Sequence, residues 1–281
     1  MRGRKIKTQS DVERYIAQGC GSGELEDYLP WIRVEDVASR GKSRKVPGIK
    51  VDRTYEVLSG LEYQYLNVLE FSESVVDIRE QFPIFPTESA LEIARELGIT
   101  YPRYPSTTVQ FVMTTDFLIT VADPDGSVRH VARTVKPEFD PDDSKRHKRI
   151  VEKLELERAI WAHKGVTDWA IVGPEALGDA LPRNLELLRG GADRSMRIGK
   201  ELRARFLDHL VHFWSRDRNL SAVIRTAATT MQLPYLDGVR IFKHLAWHKF
   251  ITFDIRNVEL KLTSFCPEAV FTDGVSKQKA A

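Results

Sequence analysis

Residues 109–136 read VQFVMTTDFLITVADPDGSVRHVARTVK. The first half, 109–121, is dense in β-branched and aromatic side chains and predicts a strand. Asp123, Pro124, Asp125 and Gly126 supply turn chemistry, and 128–136 gives a return strand. The stretch is therefore a hairpin. Strand side chains alternate between faces, which puts Asp116 on one face with Val112, Thr114 and Leu118, and Thr134 on one face with Lys136. Residues directly opposite in a hairpin point the same way. A turn centred near Asp125 then sets Asp116 opposite Thr134, with Lys136 one diagonal away. An acid and a lysine converge on one side of a sheet, and a register slip of one residue would separate them.

Working outward, a helix across 145–163 and a strand at 168–172 make a crossover that packs on the same sheet. The first domain is α/β, with a mixed sheet. Upstream, 75–82 predicts a strand ended by Pro83 and Pro86, and 88–97 a helix closed by Gly98. A helix runs over about 60–71. Residues 39–50 read as a basic loop, and 10–18 as a short helix capped by Ser10. Downstream, 189–195 reads as a linker. Leu202, Phe206, Leu210 and Trp214 then recur at a spacing of four, a helical stripe. Helices at 220–231 and 237–248 and a strand at 250–256 complete a winged-helix or helix-turn-helix module. The expected organisation is an α/β domain over 1–188, a mainly helical winged-helix-like domain over 196–273, and a disordered tail at 274–281.

Hydrophobic residues make up 42% of the 281 and charged residues 29%, a globular composition rather than a disordered one. No apolar run approaches the roughly 20 residues that cross a bilayer. Residues 1–7 are basic, but no apolar stretch follows, so they do not read as a signal peptide. The expected location is the cytoplasm. Two cysteines and scattered histidines argue against a zinc site or a disulfide framework. Net charge is only +2, yet the cations cluster: Arg40, Lys42, Arg44 and Lys45, then Lys145, Arg146, Lys148 and Arg149. Arg240, Lys243, His244, His248 and Lys249 lie along the third C-terminal helix. Each cluster reads either as a solvated face or as a grip on phosphates or a partner.

Glu62 supplies a second acid. It falls in the row Leu58, Glu62, Tyr65, Leu69, an inward-facing helical row, where a carboxylate needs a partner or a metal. Ser59 to Glu62 also fits a capping box. Two carboxylates beside a lysine suit phosphodiester hydrolysis. Hard oxygens hold Mg²⁺ while leaving it several waters, the ion acidifies water and offsets charge on the phosphate, and an ammonium steadies the developing charge. An acid on one strand and x-Lys on the next is the arrangement of restriction-endonuclease-like nucleases.

Longer stretches carry a resemblance. Asp27-Tyr28-Leu29-Pro30-Trp31, Leu58-Ser59-Gly60-Leu61-Glu62, Val76-Asp77-Ile78-Arg79-Glu80-Gln81-Phe82-Pro83, Val112-Met113-Thr114-Thr115-Asp116-Phe117-Leu118, Val135-Lys136-Pro137 and Glu152-Lys153-Leu154-Glu155-Leu156-Glu157-Arg158 occur in this order. Over roughly 10–165 the chain resembles the TnsA family, the endonuclease subunit of multi-subunit cut-and-paste transposons. The resemblance implies Glu62, Asp116 and Lys136 as catalytic residues. It implies metal binding by Glu62, Asp116 and the backbone carbonyl of Thr134, where the family typically has glutamine. It implies two Mg²⁺ ions, with Mn²⁺ able to substitute. It further implies cutting of the 5′, non-transferred strands at transposon ends, in a bacterial cytoplasm, beside a TnsB-like transposase. A TnsC-like AAA+ ATPase would regulate it, with an RNA-guided or DNA-binding targeting complex in some relatives. Glu157 is a weaker candidate for a supporting role beside the site; on a helix of alternating charge it reads first as part of a solvated face. The alternatives are a stand-alone restriction or repair nuclease and a non-catalytic DNA-binding assembly subunit.

Overall fold

The hairpin closes in the expected register: Phe117 pairs with Arg133, and the ladder runs to Ala122 opposite Val128. A computed structural model describes residues 5–37, 42–137, 144–194, 196–272 and 277–279. The chain divides into two compact units, Met1–Ala176 and Leu177–Ala281.

The first unit opens with α1 (Gln9–Ala17). Its cap is Thr8 rather than Ser10. The Thr8 hydroxyl accepts from the Asp11 amide while the Asp11 carboxylate takes the Thr8 amide, a reciprocal box that satisfies two orphan donors. Next come β1 (Arg44–Pro47) and β2 (Thr54–Val57), paired antiparallel where the sequence suggested a basic loop. The Arg53 guanidinium holds this hairpin against the next strand through both oxygens of the buried Glu80 carboxylate. Then follow α2 (Gly60–Phe71), β3 (Val75–Ile84), α3 (Glu88–Glu96), β4 (Met113–Ala122), β5 (Val128–Val135), α4 (Ser144–His163) and β6 (Trp169–Val172). Strands β3 to β6 form one sheet in the order β3-β4-β5-β6, antiparallel except for the β5–β6 pair. Helix α4 is the crossover that a parallel pair requires. One face of α4 gives Leu156, Ile160 and Trp161 to a core shared with Leu118, Ala132 and Met113 of the sheet. Tyr65 of α2 meets Phe117 edge-on at 5.6 Å.

Strand β3 does not stop before Pro83; it continues to Ile84, with Pro83 opposite Thr114. Proline is tolerated because β3 is the outer strand of this sheet. On its free side the Trp31 amide donates to the Gln81 carbonyl, and the Tyr28 hydroxyl to the Glu80 carbonyl.

The chain passes into the second unit within the single turn α5 (Pro174–Leu177). The boundary falls earlier than the expected 188 because α6 (Ala180–Arg189) belongs to the second unit. Its fully buried Asn184 donates to the carbonyls of Ile255 and Val258 and accepts from the Leu260 amide. Residues 190–194 are a short connection to α7 (Lys200–Phe213), which is followed by α8 (Leu220–Thr230) and α9 (Tyr235–Trp247). A Cβ on Gly238 would stand 2.8 Å from that of Ala228, so α8 and α9 cross at a glycine. The strand expected at 250–256 shrinks to β7 (Ile251–Thr252), since turns begin at Ile255. It pairs with β8 (Val270–Thr272), which pairs with β9 (Lys277–Lys279). Part of the expected disordered tail is therefore a strand. Three helices followed by an antiparallel sheet give the winged-helix-like order.

Candidate active site

Asp116 sits near the start of β4, one residue beyond the last β4–β5 ladder pair, where continued register sets it opposite Thr134. There its side chain replaces the ladder: the Val135 amide donates to Oδ2 at 2.7 Å. Lys136, just past β5, brings Nζ to 3.4 Å from the same oxygen. Glu62 enters from the first turn of α2. Its amide donates to Ser59 Oγ at 3.1 Å, and its Oε2 accepts from the Leu58 amide at 2.8 Å. The expected capping box is half formed: Ser59 caps the Glu62 amide, but the Glu62 carboxylate takes the Leu58 amide, one residue before the cap. The helix cap holds the backbone, and the carboxylate, only 7% exposed, still reaches the sheet.

Gln81 joins the two acids. Its Nε2 lies 3.4 Å from Glu62 Oε2 and 3.4 Å from Asp116 Oδ1, both long contacts. Its Oε1 accepts from the Thr114 hydroxyl, which fixes the amide's orientation. Gln81 lies between the ladder pairs Glu80–Phe117 and Phe82–Thr115 and takes φ +47, the left-handed region that few side chains adopt. That kink breaks the alternation expected for β4. Asp116 meets Gln81 together with Thr114, as alternation requires, but Leu118 joins the core against α4, and so does Thr115, through Trp161 Nε1. Asp116 therefore shares a side with Thr114 and not with Leu118. Sequence reading gave Gln81 no role. The available signal was three consecutive polar residues, Arg79, Glu80 and Gln81, inside a strand buried on both faces.

Glu157 is not on a solvated face. It is 4% exposed and accepts from the hydroxyls of Thr115 and Thr134 and from Trp169 Nε1. Burial raises its pKa, with repulsion from Asp116 adding to the rise and the threonine hydroxyls opposing it. Alternating charge on α4 concealed this, because all three donors come from elsewhere in the chain. The Thr134 side chain is thereby committed to Glu157.

Burial first, and repulsion from Asp116 second, push the Glu62 carboxyl up to about 7. Among the described residues the one counter-charge against these two acids is the Lys136 ammonium, beside neutral amide donors, an arrangement that a hard divalent cation would complete. Among the described residues no three of His, Cys, Asp and Glu gather into a metal-binding group. The donor set fits an ion that keeps several waters.

The basic clusters are less uniform than their spacing suggested. Arg40 and the side chains of Lys145 and Arg146 lie outside the described residues. Lys42 and Lys148 are exposed. Arg44 stacks 4.3 Å over the Tyr63 ring, and Lys45 pairs with Glu35 and Glu56. Arg149 pairs with Glu152, and Arg240 with Asp237. Lys243 is half-buried, with Nζ near Gly190, and His244 bonds the Gly191 carbonyl.

A mixed sheet presenting two buried acids and a lysine beside a helix N-terminus defines the class: a restriction-endonuclease-like nuclease domain. Residues 72–172 match the family model of the TnsA-like endonuclease N-terminal domain. Across 250 residues the chain is 32% identical to the transposon Tn7 transposition protein TnsA of Escherichia coli, covering 88% of this chain and 87% of that protein. The chain belongs to the TnsA family. Among the described residues no helix is long and apolar enough to cross a membrane.

Proposed function

We propose that this endonuclease cuts the 5′, non-transferred strands at transposon ends by Mg²⁺-dependent hydrolysis, with Mn²⁺ able to substitute, as one subunit of a heteromeric transposase. The observation that carries the reading is the meeting of Glu62, Asp116 and Lys136, with Lys136 Nζ 3.4 Å from Asp116 and Gln81 within 3.4 Å of both acids. Glu62, Asp116 and the Thr134 carbonyl are the groups that would hold one or two cations. When bound, these supply acidified water and offset the charge on the scissile phosphate. Lys136 adds a fixed ammonium that orients the attacking oxygen and steadies charge building on the phosphate. Glu157 holds Thr134, and Val135 holds Asp116, so the strand end presents its donors without further rearrangement.

In this reading a TnsB-like transposase joins the 3′ ends, and a TnsC-like AAA+ ATPase couples cutting to the target chosen by an RNA-guided or DNA-binding complex. The work takes place in the bacterial cytoplasm, on the nucleoid. The winged-helix-like unit, with Arg240 and Lys243 on α9, serves DNA or a protein partner. The exposed Lys42 and Lys148, with their neighbours in the two basic clusters, contact phosphates.

The test is end cleavage by the reconstituted subunits on labelled transposon-end DNA. The full set with wild-type chain yields double-strand breaks. Asp116→Ala or Lys136→Ala yields 3′ nicks only, with residual 5′ cutting at least a hundredfold lower. Double-strand breaks from both variants would sink the assignment.

A further inference from the structure

Beside the acids, on the Lys136 side, lies a cavity of about 280 Å³. Phe111, Met113, Ile150 and Leu154 give it an apolar floor, and Lys136 and Lys153 bring two ammonium-bearing side chains to it. Thr134 and Glu157 also line it, so it is continuous with the residues around Asp116.

Lys153 differs from its neighbours on α4. Arg149 is engaged by Glu152, and Arg158 by Glu155. Lys153 has no carboxylate partner among the described residues. Its Nζ lies 5.8 Å from the centre of the Phe111 ring, which holds the side chain over the cavity rather than out along the helix. Burial, then the nearby charges of Arg149 and Lys136, lower its pKa. An anion entering the cavity would relieve that repulsion. A cation among apolar lining residues matches one repeating unit of a DNA strand, with the phosphate at the Lys153 ammonium and the deoxyribose against the apolar side chains.

We propose that Lys153 forms a subsite for a backbone phosphodiester of the DNA strand being cut, adjacent to the scissile one that Lys136 serves. The subsite rests on the nuclease reading of the neighbouring acids and adds to it a specific strand contact. It also adds a phosphate contact one turn along α4 from the expected cluster Lys145–Arg149.

The test measures duplex DNA binding by the full chain across a range of salt, with Ca²⁺ present so that binding is read without cutting. Lys153→Met keeps the aliphatic stem on Phe111 and removes the charge; Lys153→Arg keeps the charge. Neutralising one phosphate contact should lower the slope of log affinity against log salt by about 0.9 and weaken binding about tenfold at 0.1 M salt. The Met variant should show both changes and the Arg variant neither. Equal affinity and slope for wild type and Lys153→Met overturns the subsite. So does a wild-type chain with no measurable DNA affinity at low salt. Asp116→Ala, assayed for end cleavage with the reconstituted subunits in Mg²⁺ and for binding in Ca²⁺, separates the two ideas. If that variant still cuts, the nuclease assignment fails whatever Lys153 does; if it binds DNA and does not cut, that assignment stands and the Lys153 data alone decide the subsite.

Discussion

At the residue scale, Glu62 carries the most consequential environment in the molecule. Its carboxyl titrates at about 7 in the folded chain, against an ordinary value near 4.5. Between these values the folded state holds a proton that the unfolded state has released. The stabilisation is therefore complete below the unfolded value and is lost as pH rises through 7. The loss is on the order of 3–4 kcal/mol, taking 1.4 kcal/mol for each pH unit between the two values. We expect the urea midpoint measured in EDTA to fall between pH 5 and pH 8. Glu62→Gln should flatten that dependence, and a divalent cation should flatten it in wild type by favouring the carboxylate. A wild-type midpoint that does not move over this range would contradict the burial of Glu62. Glu157, also raised, contributes in the same direction.

Among the elements, β3 has the heaviest duties. Arg79, Glu80 and Gln81 are consecutive, and each serves a different neighbour: Asp77, Arg53, and the acid pair. Glu80→Ala would leave the Arg53 guanidinium buried and uncompensated, at a cost of about 3–5 kcal/mol. Chemical denaturation should show that loss, and replacing both partners with apolar residues should restore much of it. A Glu80→Ala variant within 1 kcal/mol of wild type would mean that the pair does not hold the β1–β2 hairpin. The same strand shows what sequence can and cannot convey. The β4–β5 hairpin was legible because β-branched runs flank a strong turn, and its register brings Lys136 to Asp116, whereas the Thr134 side chain turns instead to Glu157. The β1–β2 hairpin was not. Its residues include Pro47, Gly48 and four cations, and the Arg53–Glu80 contact that holds it spans 27 positions. Gln81 escaped, and Glu157 was weighed but set below a solvated face, for the same reason, since their partners lie 19–42 positions away or on other elements. The reversal of side-chain faces at Asp116 follows from one left-handed residue on the neighbouring strand, which pattern alone cannot supply.

For the whole molecule, the division at 176/177 makes a prediction about fragments. Helix α6 buries Leu181, Leu185 and Leu188, and its Asn184 satisfies three backbone groups of the 255–260 segment. A fragment spanning 177–281 should fold, with a cooperative thermal transition by circular dichroism. One beginning at 196, where the second domain was expected to start, should not, because it lacks α6 and so exposes the apolar face that α6 covers and leaves those backbone groups unpaired. Equal cooperativity in the two fragments would refute this division. The last consequence belongs to the bend at Gln81. Because it falls in mid-strand directly across from an acid, random diversification at this codon has few acceptable outcomes: Val, Ile and Thr are sterically barred, proline is excluded by its fixed torsion, and glycine keeps the path of the chain but discards the amide. A short run of backbone thus narrows the repertoire open to the nuclease more tightly than its chemistry alone would.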